Sequence, residues 1–144
     1  MDVRLATTGD AEHLHTLLAQ LGYDRSSDAL REFLSQPSET QVLVATEGER
    51  VIGLLALAIR HQFHQPAPTA SVEALVVDEA TRSRGVGHEL METACAQAAA
   101  AGASLVEVHS SFGRTDAHRF YEREGFVSQS RYFRRELPPS PGSR

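Results

Sequence analysis

Arg82-Ser83-Arg84-Gly85-Val86-Gly87-His88 is the segment of this chain whose residue types and spacing most directly offer chemistry. Its two glycines let backbone N–H groups approach an anion closely. Where such a segment opens a helix, the first turn adds unpaired N–H donors and the positive end of the helix dipole. Together they suit a phosphate or pyrophosphate, and Arg82 and Arg84 can add charge-assisted hydrogen bonds. Two other phosphate motifs fit badly. A dinucleotide fingerprint wants a third glycine where Leu90 stands, and a P-loop wants Gly-Lys-Ser/Thr in a chain that has no lysine. Taken alone, the same residues also fit a plain helix start.

Metal chemistry finds less support. His61 and His64 lie at a strand end or in a loop, where side chains three apart diverge. No carboxylate or cysteine completes a ligand set around them, so no metal is expected. The single cysteine, Cys95, allows neither an intrachain disulfide nor a cysteine cluster, and it falls on an apolar helix face with Met91, Ala94 and Ala98, as a core residue would.

The elements that must position the anion segment can be read along the chain. Its 144 residues suffice for one domain with its own core. Val3–Ala6 predicts a first strand. Thr8 or Asp10 caps a helix over Ala11–Leu21, and Gly22 stops it. Ser26-Ser27-Asp28 caps a second helix ending near Ser35, before Pro37. Gln41–Thr46 and Arg50–Arg60 are apolar strands joined by a hairpin turn at Glu47-Gly48-Glu49. After a polar loop over 61–70 come a strand Ser71–Val77, a polar connection, a helix Gly85–Ala101 and a strand Ser104–His109. A helix Thr115–Glu124 ends at Gly125, and two closing strands are expected over Phe126–Ser130 and Arg131–Leu137. The tail 138–144 is expected to be disordered, leaving one domain over 1–137. The order β-α-α-β-β-β-α-β-α-β-β predicts a mixed α/β (α+β) architecture around a central, mostly antiparallel sheet with helices on both faces.

Composition narrows the function classes. Hydrophobic residues make up 41% and charged residues 23%, an ordinary globular balance. A net charge of −5 argues against general nucleic-acid binding. The charge is uneven: residues 1–81 carry 5 Arg against 12 Asp and Glu, and residues 82–144 carry 9 Arg against 7. The longest apolar run, Val51–Ile59, is far short of the roughly 20 residues that span a bilayer. Without an apolar leader, the expected compartment is the cytoplasm and no membrane partner is expected.

Two motifs bring a resemblance. Leu75-Val76-Val77-Asp78 followed by Arg82-x-x-Gly85-x-Gly87 resembles the acetyl-CoA signature of the GNAT superfamily of N-acetyltransferases. Ala117-His118-Arg119-Phe120-Tyr121-Glu122-Arg123-Glu124-Gly125-Phe126 is similar to that family's tyrosine-bearing helix and its Gly-Phe exit. The resemblance implies acetyl-CoA as cosubstrate. It gives the backbone amides of Arg84, Gly85, Val86, Gly87 and His88 the CoA pyrophosphate, with Arg82 beside them. It implies a β-strand splayed from its neighbour, with Leu75, Val76 and Val77 pairing with the pantetheine arm. It places Tyr121 by the thioester sulfur. One departure is Arg114, which stands where many members have an Asn that contacts the CoA arm; Arg114 is instead expected to reach a phosphate or an anionic substrate group. Gln62-Phe63-His64, Arg114-x-Asp116-Ala117-His118-Arg119-Phe120-Tyr121 and Arg123-Glu124-Gly125 also resemble aminoalkylphosphonate N-acetyltransferases. Aminoglycoside acetyltransferases share the fold and carry a Glu at a place equivalent to Glu73.

On that resemblance, acetyl transfer to an amine assigns further roles. Glu73 is the candidate base, on the strand that carries the acetyl group and expected on the same face as Leu75. Tyr121 is the candidate acid, since a phenol with its ordinary pKa near 10 is protonated at neutral pH. The oxyanion donor is a backbone N–H near Val76 or Val77. Tyr23, Asp24, His64, Glu73 and His109 are the candidate acceptor-binding residues. The leading reading is acetylation of a primary amine of a small molecule by direct attack in a ternary complex. The competing readings are a protein N-acetyltransferase and a non-catalytic CoA-binding module, and a homodimer through the closing strands is open.

Overall fold

A computed structural model of the chain describes residues 1–82, 84–109, 115–129 and 132–140. The chain divides into two compact units, one over Met1–Val108 and one beginning at His109.

The first unit is built on a five-stranded sheet, in which β1 (Asp2–Leu5), β2 (Thr40–Glu47), β3 (Arg50–Arg60), β4 (Thr69–Val77) and β5 (Leu105–Val108) lie in chain order. The first three pairings are antiparallel and β4–β5 is parallel. Gly48, at φ 59, turns the β2–β3 hairpin. A parallel neighbour needs a crossover, and α3 (Val86–Ala100) supplies it between β4 and β5. The remaining helices of this unit, α1 (Ala11–Gln20) and α2 (Ser27–Ser35), come between β1 and β2.

Alternation along the strands decides which helix covers which face. Val44 and Leu54 join Ala11, Leu14, Leu17 and Leu30 in a buried cluster, so α1 and α2 cover their side of the sheet. Gly53, one residue before Leu54, faces the other side, against Val86 and Leu90 of α3. Along α3 the buried residues Val86, Leu90, Met91, Ala94 and Ala98 form the stripe that seats it. Cys95, expected with that stripe, is half-buried.

Local chemistry sets the helix ends. Ser26 accepts from the Ala29 N–H at 3.0 Å and caps α2. Gly22, at φ 94, ends α1 with Tyr23 N–H on Leu18 O and Gly22 N–H on Ala19 O, a Schellman motif. Where the chain turns from β1 into α1, the carboxylate of Asp10 is 6% exposed and takes both guanidinium nitrogens of Arg4, at 2.8 and 3.0 Å, and the Thr7 N–H at 2.7 Å. The Arg4 hydrogen bonds are the main cause that holds this carboxyl below its ordinary value of 3.8. A depressed carboxylate adds stability that is present above its unfolded value and is lost as pH falls through its folded value. Asp10→Asn is therefore expected to lower stability by about 1–2 kcal/mol at neutral pH. The difference from the parent should shrink as the pH is brought well below 3.8, which urea unfolding at both ends of that range would measure. An equal difference at both would show that this carboxylate's charge does not contribute.

In the second unit, α4 (Thr115–Arg123) is the helix. The closing strands expected over Phe126–Ser130 and Arg131–Leu137 differ from what is found: 126–129 and 132–137 are irregular, and Ser130 and Arg131 lie outside the described residues. The reason is visible in Tyr132-Phe133-Arg134-Arg135, where a pair of apolar residues is followed by a pair of charged ones. Such a pattern has no two-residue period to give a strand one apolar face, and Tyr132, Phe133 and Leu137 are exposed. Among the described residues, no helix is long and apolar enough to cross a membrane.

Candidate active site

Glu73 sits at a break in the sheet. Ala56 pairs with Ala74 and Leu57 pairs with Val72, so Glu73 is the extra residue of a β-bulge in β4. Its carboxylate is exposed and accepts from the Thr40 hydroxyl at 2.9 Å. Thr40 stands opposite Ala58, and Val42, two residues on, packs with Ala74 against the α1/α2 cluster. The carboxylate therefore reaches the α1/α2 side. Leu75 pairs with Leu55, whose neighbour Leu54 faces α1 and α2, so Leu75 faces α3. The expectation that Glu73 and Leu75 share a face is overturned, because the bulge shifts the alternation by one residue.

Among the described residues, parallel pairing of β4 with β5 runs from Thr69↔Leu105 to Val72↔Val108. From Glu73 to Val77, β4 stays paired with β3 as far as Gly53↔Val77. Backbone groups of Leu75, Val76 and Val77 that point away from β3 thus lie beyond the β4–β5 ladder. This is the edge that an extended, amide-bearing ligand can join as a strand would.

After Val77 the chain makes a tight turn, and Asp78 organises it. Its side chain accepts from Ala80 N–H at 3.1 Å and from Arg50 Nη2 at 2.9 Å. Its own N–H donates to Ile52 O at 2.9 Å, and its carbonyl accepts from the buried Thr81 through both N–H and hydroxyl. The Ala80 N–H, together with Arg50, holds the Asp78 carboxyl below its ordinary range. The polar connection after Val77 thus carries an ordered Asx turn, with Asp78 two residues before Ala80, that opens a short 3-10 turn, Glu79–Thr81.

The turn leads into the anion segment. Gly85, at φ 79 and ψ 9, is the left-handed N-cap of α3. The first bond of the α3 ladder is Glu89 N–H to Gly85 O, at 3.1 Å, so the amides of Val86 and Gly87 precede it. Arg82 and His88 are exposed. Arg84 forms an ion pair with Glu47 at the end of β2, so its guanidinium already has a carboxylate partner. Ser83 is outside the described residues. Left-handed glycine, helix amides and the open β4 edge are a donor set that fits a pyrophosphate joined to an amide-bearing arm.

The other acceptor candidates of the first unit lie on connections. Tyr23 and Asp24 are exposed between α1 and α2, and His64 is exposed in the loop between β3 and β4. In the second unit, α4 ends in another Schellman motif: Phe126 N–H bonds Tyr121 O at 2.9 Å, Gly125 N–H bonds Glu122 O at 3.1 Å, and Gly125 has φ 93. The motif brings the Phe126 ring edge-on to Tyr121, at 5.8 Å between centroids, while Phe120 lies edge-on at 5.5 Å. Tyr121 is half-buried. His109 lies against the ring of Tyr132 at 4.8 Å. Arg114 is outside the described residues.

Residues 11–126 match the acetyltransferase (GNAT) family. An aminoalkylphosphonate N-acetyltransferase of Salmonella typhimurium is 30% identical over 141 residues, 94% of this chain and 91% of that protein. A transcriptional regulator from Bacillus halodurans C-125 superposes with a TM-score of 0.85 at 26% identity, covering 94% of this chain and 99% of that one. An aminoglycoside acetyltransferase from an uncultured soil metagenomic sample, solved with sisomicin, gives a TM-score of 0.80 over 95% of this chain and 96% of its own. At 20% identity that likeness shows the shared fold.

Proposed function

The chain belongs to the acetyltransferase (GNAT) family and is an acetyl-CoA-dependent N-acetyltransferase; from that premise we propose that it acetylates a primary amine of a small molecule by direct attack, with residues 1–137 acting as one catalytic domain. The observation that carries the reading is that, among the described residues, the β4–β5 ladder ends at Val72↔Val108, with the bulged Glu73 next along β4. The cosubstrate supplies an acetyl thioester. The edge of Leu75–Val77 would hold its pantetheine arm, and the amides from Arg84 to His88 its pyrophosphate, with Arg82 and Arg84 adding charge. A backbone N–H near Val76 or Val77 would donate to the carbonyl oxygen as negative charge develops there.

The amine arrives as an ammonium ion, which has no lone pair. Glu73 attracts it and takes its proton, directly or through a water. Thr40 holds one carboxylate oxygen, Oε1, and leaves the other to face the amine. As the carbon–sulfur bond breaks, Tyr121 donates its phenolic proton to the departing sulfur, so the thiolate leaves as a thiol, and the second proton shed by the nitrogen as the amide forms restores the phenol. Tyr23, Asp24, His64 and His109 would surround the acceptor. Holding the two reactants together can itself supply several kcal/mol.

Among acceptors, aminoalkylphosphonates come first, supported by the 30% identity to an enzyme of that name over nearly the whole chain. The exposed Arg60 would suit an anionic tail. The test is thiol release from acetyl-CoA across aminoalkylphosphonates, aminoglycosides, polyamines, amino acids and a lysine peptide. Turnover on the phosphonates, with kcat/KM lowered at least about tenfold in Glu73→Gln, is expected. Turnover on the peptide alone would make the enzyme a protein acetyltransferase. Full activity of Glu73→Gln would sink the base assignment.

A further inference from the structure

We infer that Gly53, in the middle of β3, is a positioning residue for the cosubstrate: its missing side chain sets the spacing between the open β4 edge and the first turn of α3. The inference rests on the acetyl-CoA site proposed above. A Cβ at position 53 would stand 3.0 Å from Val86 Cγ1, 3.1 Å from Leu90 Cδ1 and 3.2 Å from the Val76 carbonyl oxygen. These neighbours belong to the two parts of the site. Val76 lies on the edge assigned to the pantetheine arm, and Val86 is the first residue of the helix assigned to the pyrophosphate.

The neighbours differ in what they can concede. Leu90 Cδ1 is the end of a side chain with two torsions and can swing. Val86 is β-branched on a helix, where one rotamer dominates, so its methyl cannot turn aside. The Val76 carbonyl belongs to a strand fixed by pairing with β3. An added methyl group therefore presses the α3 N-terminus away from the sheet by a few tenths of an ångström. Gly53 has no unusual backbone angle to explain it: among the described residues, the glycines with positive φ are Gly22, Gly48, Gly85, Gly102 and Gly125. Close approach of α3, rather than chain flexibility, is what requires glycine in the interior of an otherwise apolar strand.

A ligand that bridges both parts should feel the change, and one that reaches only the strand edge should not. Gly53→Ala would be compared with the parent in two ways: the Kd of CoA by calorimetry, and kcat/KM for acetyl-CoA against S-acetylpantetheine, which lacks the pyrophosphate. The expected result is CoA binding weakened about tenfold, a fall of the same size in the acetyl-CoA to acetylpantetheine ratio, and acetylpantetheine itself changed less than about twofold. Gly53→Ala with Val86→Ala, which removes the clashing methyls, should recover most of the loss. If Gly53→Ala does not accumulate folded, Val86→Ile, which enlarges the same contact from the helix side, is read by the same two measurements. CoA binding equal to the parent, or an equal loss with both acyl donors, overturns the inference. A parent enzyme that fails to bind CoA at all sinks the site assignment instead.

Discussion

Tyr121→Phe is expected to lower kcat by about 100-fold while leaving the KM for acetyl-CoA within about threefold. The substitution removes one oxygen and keeps the ring. The edge-on contacts with Phe120 and Phe126 are contacts of that ring, and the Gly125-Phe126 exit is held by backbone bonds. Helix α4 should therefore end as before, and far-ultraviolet circular dichroism should be unchanged. What is lost is the proton for the departing sulfur. A group that acts only while the thiol leaves affects kcat and kcat/KM together, whereas a group that only binds affects KM. A variant with kcat within about threefold of the parent would remove Tyr121 from the acid role and leave it a packing residue.

The second large effect is expected at Gly85. Its φ of 79 lies in the left-handed region, and nothing stands within 4 Å of where a Cβ would be. The obstacle to a side chain there is torsional rather than steric. An L-residue pays roughly 1–2 kcal/mol in this conformation, and a β-branched one more. Gly85→Val either carries that strain or rotates out of it, and rotation turns the amides of the first α3 turn away from the anion they are proposed to hold. Acetyl-CoA KM should rise about 30-fold or more, with kcat at saturation much less affected. Gly85→Asn gives the comparison, because Asn tolerates the left-handed region better. The order Gly, Asn, Val in CoA affinity by calorimetry is the expected result. Equal loss in Asn and Val would show that any side chain blocks the site, and the backbone explanation would fall.

Much of the fold was legible because its signals are local. Arg50–Arg60 reads as a strand from its apolar run, and the observed strand has those bounds. Ser26, Gly22 and Gly125 mark helix ends through chemistry that involves only their own neighbours. The helix start at Gly85 was legible for the same reason, since two close glycines before an apolar-periodic run need no tertiary partner to be noticed. What depends on distant pairing was not. The bulge at Glu73 exists only through the register against Ala56 and Leu57, and it reversed the face assigned from simple alternation. The ion pair of Arg84 with Glu47 joins residues 37 apart in sequence, and nothing local to either marks it. The need for glycine at 53 comes from Val86 and Leu90 of α3, more than 30 residues on, and no local pattern shows it. Thr40, which steadies the candidate base, is an ordinary strand residue by every local criterion.

The bulge has a consequence for how this molecule can change. Pairing passes from Val72 to Ala74 as though position 73 were absent. The residue there fills no place in either packed layer, and its side chain is exposed. Replacing it leaves the register of five strands and both helical layers as they are. A descendant could exchange the carboxylate for an amide, a hydroxyl or a histidine and keep its fold, so the chemistry met by an incoming amine can drift faster than the scaffold that presents it.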